Sequence, residues 1–133
     1  MKIRLANQKD IDGLLKMDSH ITKPFLTRAI EEKRVLLAES EEVIGWLRYS
    51  YFWESIPFMD MLFVKDGQRQ LGYGSALIDY FEKDLKARGF KTVMTSTSAL
   101  EHGQHLYYRL GYQSVGGFFP TDEPYELLLR KEL

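Results

Sequence analysis

Between Met59 and Arg88 the chain reads MDMLFVKDGQRQLGYGSALIDYFEKDLKAR: an apolar run, a loop with glycines at 67, 72 and 74, and an amphipathic repeat. A strand that empties through glycines onto a helix places unpaired backbone N–H groups at the positive end of the helix dipole, where a phosphate is held well. Glycines at 72 and 74 let the backbone approach a diphosphate closely and adopt positive φ if required. Arg69 can add charge-assisted hydrogen bonds to such a group. Two common phosphate motifs do not fit. A Walker A loop needs Lys and Ser or Thr after its second glycine, yet Gly72 is followed by Tyr73; a dinucleotide fingerprint needs a third glycine at Leu77. The bland alternative is a turn that only joins strand to helix.

Other chemistries are narrowed by what the chain carries. With no cysteine, disulfides, thiolate zinc sites and cysteine nucleophiles are excluded. His102 and His105 are spaced three apart on a helical stretch, but no third ligand accompanies them, so they read as surface or packing residues and no metal is expected. A net charge of -1, with no run of lysine or arginine, argues against nucleic acid as a partner. The length of 133 residues suits one domain, 1–133, and 44% hydrophobic with 28% charged residues suits an ordinary soluble protein. No apolar run approaches a membrane span and MKIRLANQKD is not a signal peptide, so no membrane partner and a cytoplasmic location are expected.

The elements that must position this loop follow from periodicity. Lys2 to Ala6 alternates as a short strand; Asn7 suits an N-cap, and Ile11, Leu14 and Leu15 predict a helix over 8–18. A second helix is expected from Phe25 to Lys33. Val35 to Glu39 and Val43 to Trp53 flank the polar turn Ser40-Glu41-Glu42 as an antiparallel hairpin, and Pro57 separates the latter from a strand Phe58 to Val64. Leu77, Ile78, Phe81 and Leu85 form one stripe of a helix over 75–88, closed by Gly89. Phe90 to Thr95 should be a strand parallel to the preceding one, because a helix joins them. A helix from Ala99 to Leu110, stopped by Gly111, and strands Tyr112 to Phe119 and Tyr125 to Arg130 complete the chain. The order β-α-α-β-β-β-α-β-α-β-β gives an α+β fold with one mixed sheet and helices on both faces.

Arg69-Gln70-Leu71-Gly72-Tyr73-Gly74, of the form R-x-x-G-x-G and five residues after Val64, resembles motif A of the GNAT superfamily of N-acetyltransferases. Asp66 stands where the family usually has proline, and Gln70 where a glycine is common. Leu106-Tyr107-Tyr108-Arg109-Leu110-Gly111-Tyr112 resembles the family's L-Y-x-x-x-G-F/Y signature. Together with the order of elements, the resemblance covers essentially the whole chain. It implies the acyl-CoA N-acyltransferase fold, a three-layer α/β/α arrangement with about seven strands and four helices. It also implies acetyl-CoA as co-substrate, with cofactor-binding residues Leu62, Phe63 and Val64 along the pantetheine arm and Arg69, Gln70, Leu71, Gly72, Tyr73, Gly74 and Ser75 around the diphosphate.

The same resemblance assigns Tyr107 as the general acid that reprotonates the departing thiolate; a phenol with an ordinary pKa near 10 is protonated at neutral pH. Tyr108, its neighbour, points about 100° away on a helix. The asparagine usual seven residues before the tyrosine is Leu100, and the small residue usual four before it is Gly103. No carboxylate occupies Thr95-Ser96-Thr97-Ser98, so the general base is open: Asp60 leads, with Glu54, His20 or a water wire as alternatives. The acceptor, a small-molecule amine or a peptide N-terminus, should lie near segments carrying His20, Phe25, Tyr51, Phe52, Trp53 and Glu54. A possible homodimer suits the aromatic stretch Tyr112 to Tyr125. The rival function is a catalytically inactive acyl-CoA-binding or regulatory module of the same fold.

Overall fold

The computed structural model describes residues 1–69 and 71–133. Its strands are β1 (Lys2–Leu5), β2 (Val35–Glu39), β3 (Val43–Phe52), β4 (Ile56–Val64), β5 (Thr92–Ser98), β6 (Gln113–Phe118) and β7 (Glu126–Glu132). Its helices are α1 (Ile11–Met17), preceded by a 3-10 turn at Gln8–Asp10, α2 (Lys23–Glu31), α3 (Tyr73–Ala87) and α4 (Gly103–Arg109). The seven strands form one mixed sheet in the order β1-β2-β3-β4-β5-β7-β6. The helix-joined strands β4 and β5 run parallel, with Phe58 opposite Met94 and Met59 opposite Thr95. Among the described residues no helix is long and apolar enough to cross a membrane.

Several boundaries depart from the sequence expectation: α2 runs Lys23–Glu31 where Phe25 to Lys33 was expected, and those of β4, β5 and α4 depart for local reasons. Pro57 lies inside β4 instead of before it, since proline is tolerated near a strand's start, where a missing N–H costs least. Phe90 is not part of β5. Its N–H closes α3 by bonding Leu85 O at 3.0 Å, with Gly89 at φ 90° supplying the left-handed residue this helix end requires. The strand gains at its other end, because every residue from Thr92 to Ser98 pairs with β7. Residues 99–102 are therefore a turn, Glu101 N–H bonding Ser98 O, and α4 begins only at Gly103.

The chain divides into two compact units: Met1–Ser50 with Met61–Ile78, and Tyr51–Asp60 with Asp79–Leu133. In the first, Leu14, Leu26, Ala29 and Ile30 from α1 and α2 pack with Val35, Leu37 and Trp46 from β2 and β3. Asn7 caps the first turn as expected: its side chain accepts from Lys9 N, and Asp10 accepts the Asn7 N–H in return. Asp10 also receives both terminal nitrogens of Arg4, which holds Glu39 as well. In the second unit Phe81, Leu85, Val93 and Leu129 are fully buried. Glu82 accepts from Tyr112 Oη at 2.8 Å and from Lys131 Nζ at 2.7 Å, tying α3 to the segment after α4 and to β7.

The Arg4 hydrogen bonds hold the carboxyls of Asp10 and Glu39 below the ordinary carboxylate range. A depressed folded-state pKa stabilises above the unfolded value and loses that contribution as pH falls through the folded one. Arg4→Gln should therefore lower stability at pH 7, and the difference from the unaltered protein should shrink between pH 5 and pH 3. Urea unfolding at the three pH values checks this; a constant gap would contradict it.

Candidate active site

The last four residues of β4, Met61–Val64, lie in the first unit and are each half-buried, although β4 is the central strand of the seven. The burial alternation of the strand holds through Met59 and then stops. Phe63 is stacked on Trp46 at 4.6 Å between ring centroids, and the Arg69 guanidinium lies 5.6 Å from its centroid. Gly45 on β3 is required by this packing: a Cβ there would sit 2.7 Å from Phe63 O. Lys65 N–H bonds Ile44 O, and the chain then turns through Gly67 and Gly72, at φ 83° and 85°, where side chains other than glycine are strained.

A Cβ at Gly72 would meet nothing within 4 Å, so its glycine serves the backbone conformation and leaves that side open. The first bond into α3 runs from Ala76 N–H to Gly72 O at 2.9 Å. The N–H groups of Tyr73, Gly74 and Ser75 precede it, and the helix has no carbonyl for them. Arg69 is engaged with the loop itself: Nε donates to Val64 O at 3.0 Å, and its terminal nitrogen pairs with Asp66 at 3.2 Å. Both partners of that pair are exposed, so it is weak and exchangeable. Leu71 is exposed, and Gln70 lies outside the described residues. An apolar half-open strand end, an open glycine, helix N–H groups that the helix's own carbonyls cannot reach and an arginine thus follow one another along the chain.

In the second unit Tyr107 is buried near the end of α4. Gly111 at φ 96° and the bond from Tyr112 N–H to Tyr107 O at 2.9 Å form the same left-handed helix end as at Gly89. That motif places the residue after the glycine against the one five before it, and the rings of Tyr107 and Tyr112 meet edge-on at 5.6 Å. The tyrosine–glycine–tyrosine spacing thus has a mechanical reason. Burial pushes the Tyr107 phenol up to about 12; the Glu101 and Glu126 carboxylates add to this, and a hydrogen bond with Thr95 opposes it. Tyr112 is held higher still, by burial and then by Glu82. Tyr108 is exposed and turned away.

Residues 10–112 match the family model described as the acetyltransferase (GNAT) family. The chain belongs to this family. No curated protein matches the sequence. Among solved structures, Ard1 from Thermoplasma volcanium superposes with a TM-score of 0.86 at 15% identity, covering 99% of this chain and 97% of that one. PaiA N-acetyltransferase from Thermoplasma acidophilum, in complex with coenzyme A, gives 0.83 at 15% identity over 99% and 98%. Ribosomal-protein-alanine N-acetyltransferase from Brucella melitensis gives 0.83 at 18% identity over 100% of both chains. These likenesses carry the GNAT fold.

Against the GNAT expectation, the structure gathers Phe63, Val64 and Arg69 in one place, and buries Tyr107 against Tyr112 in another. Asp60 is exposed and directly follows Met59, whose carbonyl accepts from Thr95. Glu54 stands in the β3–β4 turn at φ 61°, next to Trp53 at φ 54°. At about 3.3 Å per strand residue it is more than about 10 Å along the chain from Met59. His20 follows α1, its N–H on the Asp18 carboxylate, which also pairs with the buried Arg48. The His102 and His105 rings are 5.9 Å apart, and no group of three metal-capable side chains occurs among the described residues. Gly103 lets α4 approach β5, since a Cβ there would lie 3.3 Å from Thr97 Oγ1.

Thr95 and Glu82 were not singled out from sequence. For Thr95 the signal was present: Val93, Thr95 and Thr97 share the buried face of β5, and buried threonine hydroxyls need partners. For Glu82 there was none, because Lys131 is 49 residues away. Glu82→Gln should lower stability by about 1–3 kcal/mol by weakening the Lys131 and Tyr112 bonds. Denaturant unfolding measures this, and an unchanged midpoint would refute it.

Proposed function

We propose that residues 1–133 form a single N-acetyltransferase domain that moves an acetyl group from acetyl-CoA to a primary amine by direct attack. The observation that carries this reading is the half-open end of β4 running into an arginine- and glycine-bearing loop and the free N–H groups of α3. Main-chain groups of Leu62, Phe63 and Val64 would run beside the pantetheine arm. The N–H groups at 72–75 would hold the diphosphate, with Gln70 and Leu71 alongside, and Arg69 would exchange Asp66 for a phosphate oxygen.

The amine nitrogen bonds to the thioester carbon as the carbon–sulfur bond breaks. Tyr107 gives its phenolic proton to the leaving sulfur, and solvent restores that proton. The proton lost by nitrogen goes to Asp60, directly or through water; Asp60 is favoured over Glu54 and His20 because it adjoins Met59, the partner of Thr95. The acceptor we favour is a peptide N-terminus, on the likeness to the ribosomal-protein-alanine N-acetyltransferase from Brucella melitensis. A small-molecule amine is the second choice.

Thiol release from acetyl-CoA with peptides bearing free amino-terminal residues, the same peptides amino-blocked, and a set of small amines tests the proposal. Binding of acetyl-CoA without turnover for any amine would favour the inactive binding module instead. Tyr107→Phe should lower kcat roughly 10²–10⁴-fold with little change in KM for acetyl-CoA; full turnover at all pH values would remove the acid role. With Tyr107 held up at about 12, it stays protonated through pH 9. For a peptide acceptor the rate should therefore rise with pH around an amine pKa of about 8 and then level off. Gly72→Ala, strained at φ 85°, should weaken coenzyme A binding in calorimetry while leaving the fold intact.

A further inference from the structure

Arg4 and Arg48 both lie mostly buried, and they are partnered very differently. Arg4, with 23% of its side chain exposed, donates to Asp10 at 2.9 and 3.0 Å and to Glu39 at 3.2 and 2.7 Å. Arg48, deeper at 10%, makes one hydrogen bond among the described residues, from Nη2 to Asp18 Oδ2 at 3.4 Å. That is long for a charge-assisted bond, and the other Asp18 oxygen already accepts from His20 N–H at 3.0 Å. Arg48 Nε is buried with no partner among the described residues, and so is Trp46 Nε1 two positions earlier. Residues two apart on a strand face the same way, so both side chains stand on the side of β3 that packs against α1 and α2. Buried donors are nearly always bonded, and a buried cation is costly unless it is bonded well. Arg48 thus has donors that its protein neighbours do not use.

Lys65 N–H bonds Ile44 O and Phe63 stacks on Trp46, an antiparallel register that continues to Arg48 opposite Met61. Met61 adjoins Leu62, the far end of the segment along which the pantetheine arm would run from the diphosphate. Arg48 therefore stands near the reactive end of that arm. We propose that Arg48 recognises the acceptor, and that the acceptor carries a carboxylate close to its amine. The carboxylate bonds Nε and the donors that Asp18 leaves over, with Trp46 Nε1 on the same face, while Asp18 stays on the His20 N–H. One guanidinium can serve two carboxylates, as Arg4 does with Asp10 and Glu39. The group is the α-carboxylate of an amino acid or the side chain of an acidic amino-terminal residue in a peptide; both present the same chemistry. Ser19, His20 and Thr22, just past Asp18, are exposed, so this segment faces solvent from which an acceptor arrives. The inference rests on the acetyltransferase reading above and narrows its substrate class.

The test measures thiol release from acetyl-CoA with alanine against alaninamide, and with peptides beginning Asp or Glu against the same peptides beginning Asn or Gln. With rates expressed per neutral amine, the carboxylate member of at least one pair should show a kcat/KM about tenfold or more above its amide. A preference in the first pair identifies amino acids as the source of the carboxylate, and one in the second identifies acidic peptides. Arg48→Gln should bring the ratio close to one and Arg48→Lys should restore part of it. Arg28→Gln, which removes an exposed charge from α2, should keep the ratio. Equal rates for every acid and its amide, or a ratio unmoved by Arg48→Gln, would overturn the proposal. If the Arg48 variants do not fold, NMR of the unaltered protein with coenzyme A present decides. The Arg48 Nε–H and Trp46 Nε1–H signals should shift on adding alanine or the Asp peptide and stay in place with the amides. Signals that respond to no carboxylate would mark a buried water as their partner and overturn the proposal. Carboxylate-dependent shifts without turnover of any amine would instead sink the acetyltransferase reading and leave the Arg48 subsite standing.

Discussion

A helix begins with N–H groups that its own carbonyls cannot reach, and α3 begins at Tyr73, directly after Gly72, which has no side chain to reach them. Much of the first unit follows from that start. Gly67 and Gly72 take left-handed conformations to bring the chain around to it. Arg69 braces the loop against Val64 and Phe63, and Phe63 in turn leans on Trp46. Gly45 gives up its side chain so that the Phe63 carbonyl can fit. The loop is thus held at its strand end by packed rings.

The second unit solves a different problem, that of keeping a polar group inside. Tyr107, Tyr108 and Tyr112 fall within six positions, yet one is buried near the end of α4, one is exposed, and one is buried against Glu82. The helix end at Gly111 separates them. It fixes Tyr107 and Tyr112 face to edge, and Glu82 with Lys131 locks Tyr112 from the other side. A phenol positioned in this way is held by backbone geometry and by a charged neighbour's neighbour, so its orientation does not rely on any one contact.

The sequence made legible whatever depends on local chemistry. The Asn7 cap, the stripe of Leu77, Ile78, Phe81 and Leu85, and the helix stops at Gly89 and Gly111 all rest on residues within one or two turns of one another. Boundaries that depend on partners were less legible. Ser96 to Ser98 are strand because β7 pairs with them, and Phe90 is not because α3 uses its N–H. At the site, the glycines and Arg69 announced an anion loop, but not that Arg69 would be engaged with Val64 and Asp66 a few residues away, nor that Thr95 would bond the Met59 carbonyl, 36 residues away.

The two tryptophans of the chain occupy opposite environments. Trp46 is buried and stacked on Phe63, whereas Trp53 is 79% exposed on its turn. The protein therefore carries two intrinsic fluorophores of different colour: a blue-shifted one shielded from acrylamide or iodide, and a red-shifted one open to both. Phe63 touches both Trp46 and Arg69, so the shielded ring is one side chain removed from the loop that follows β4.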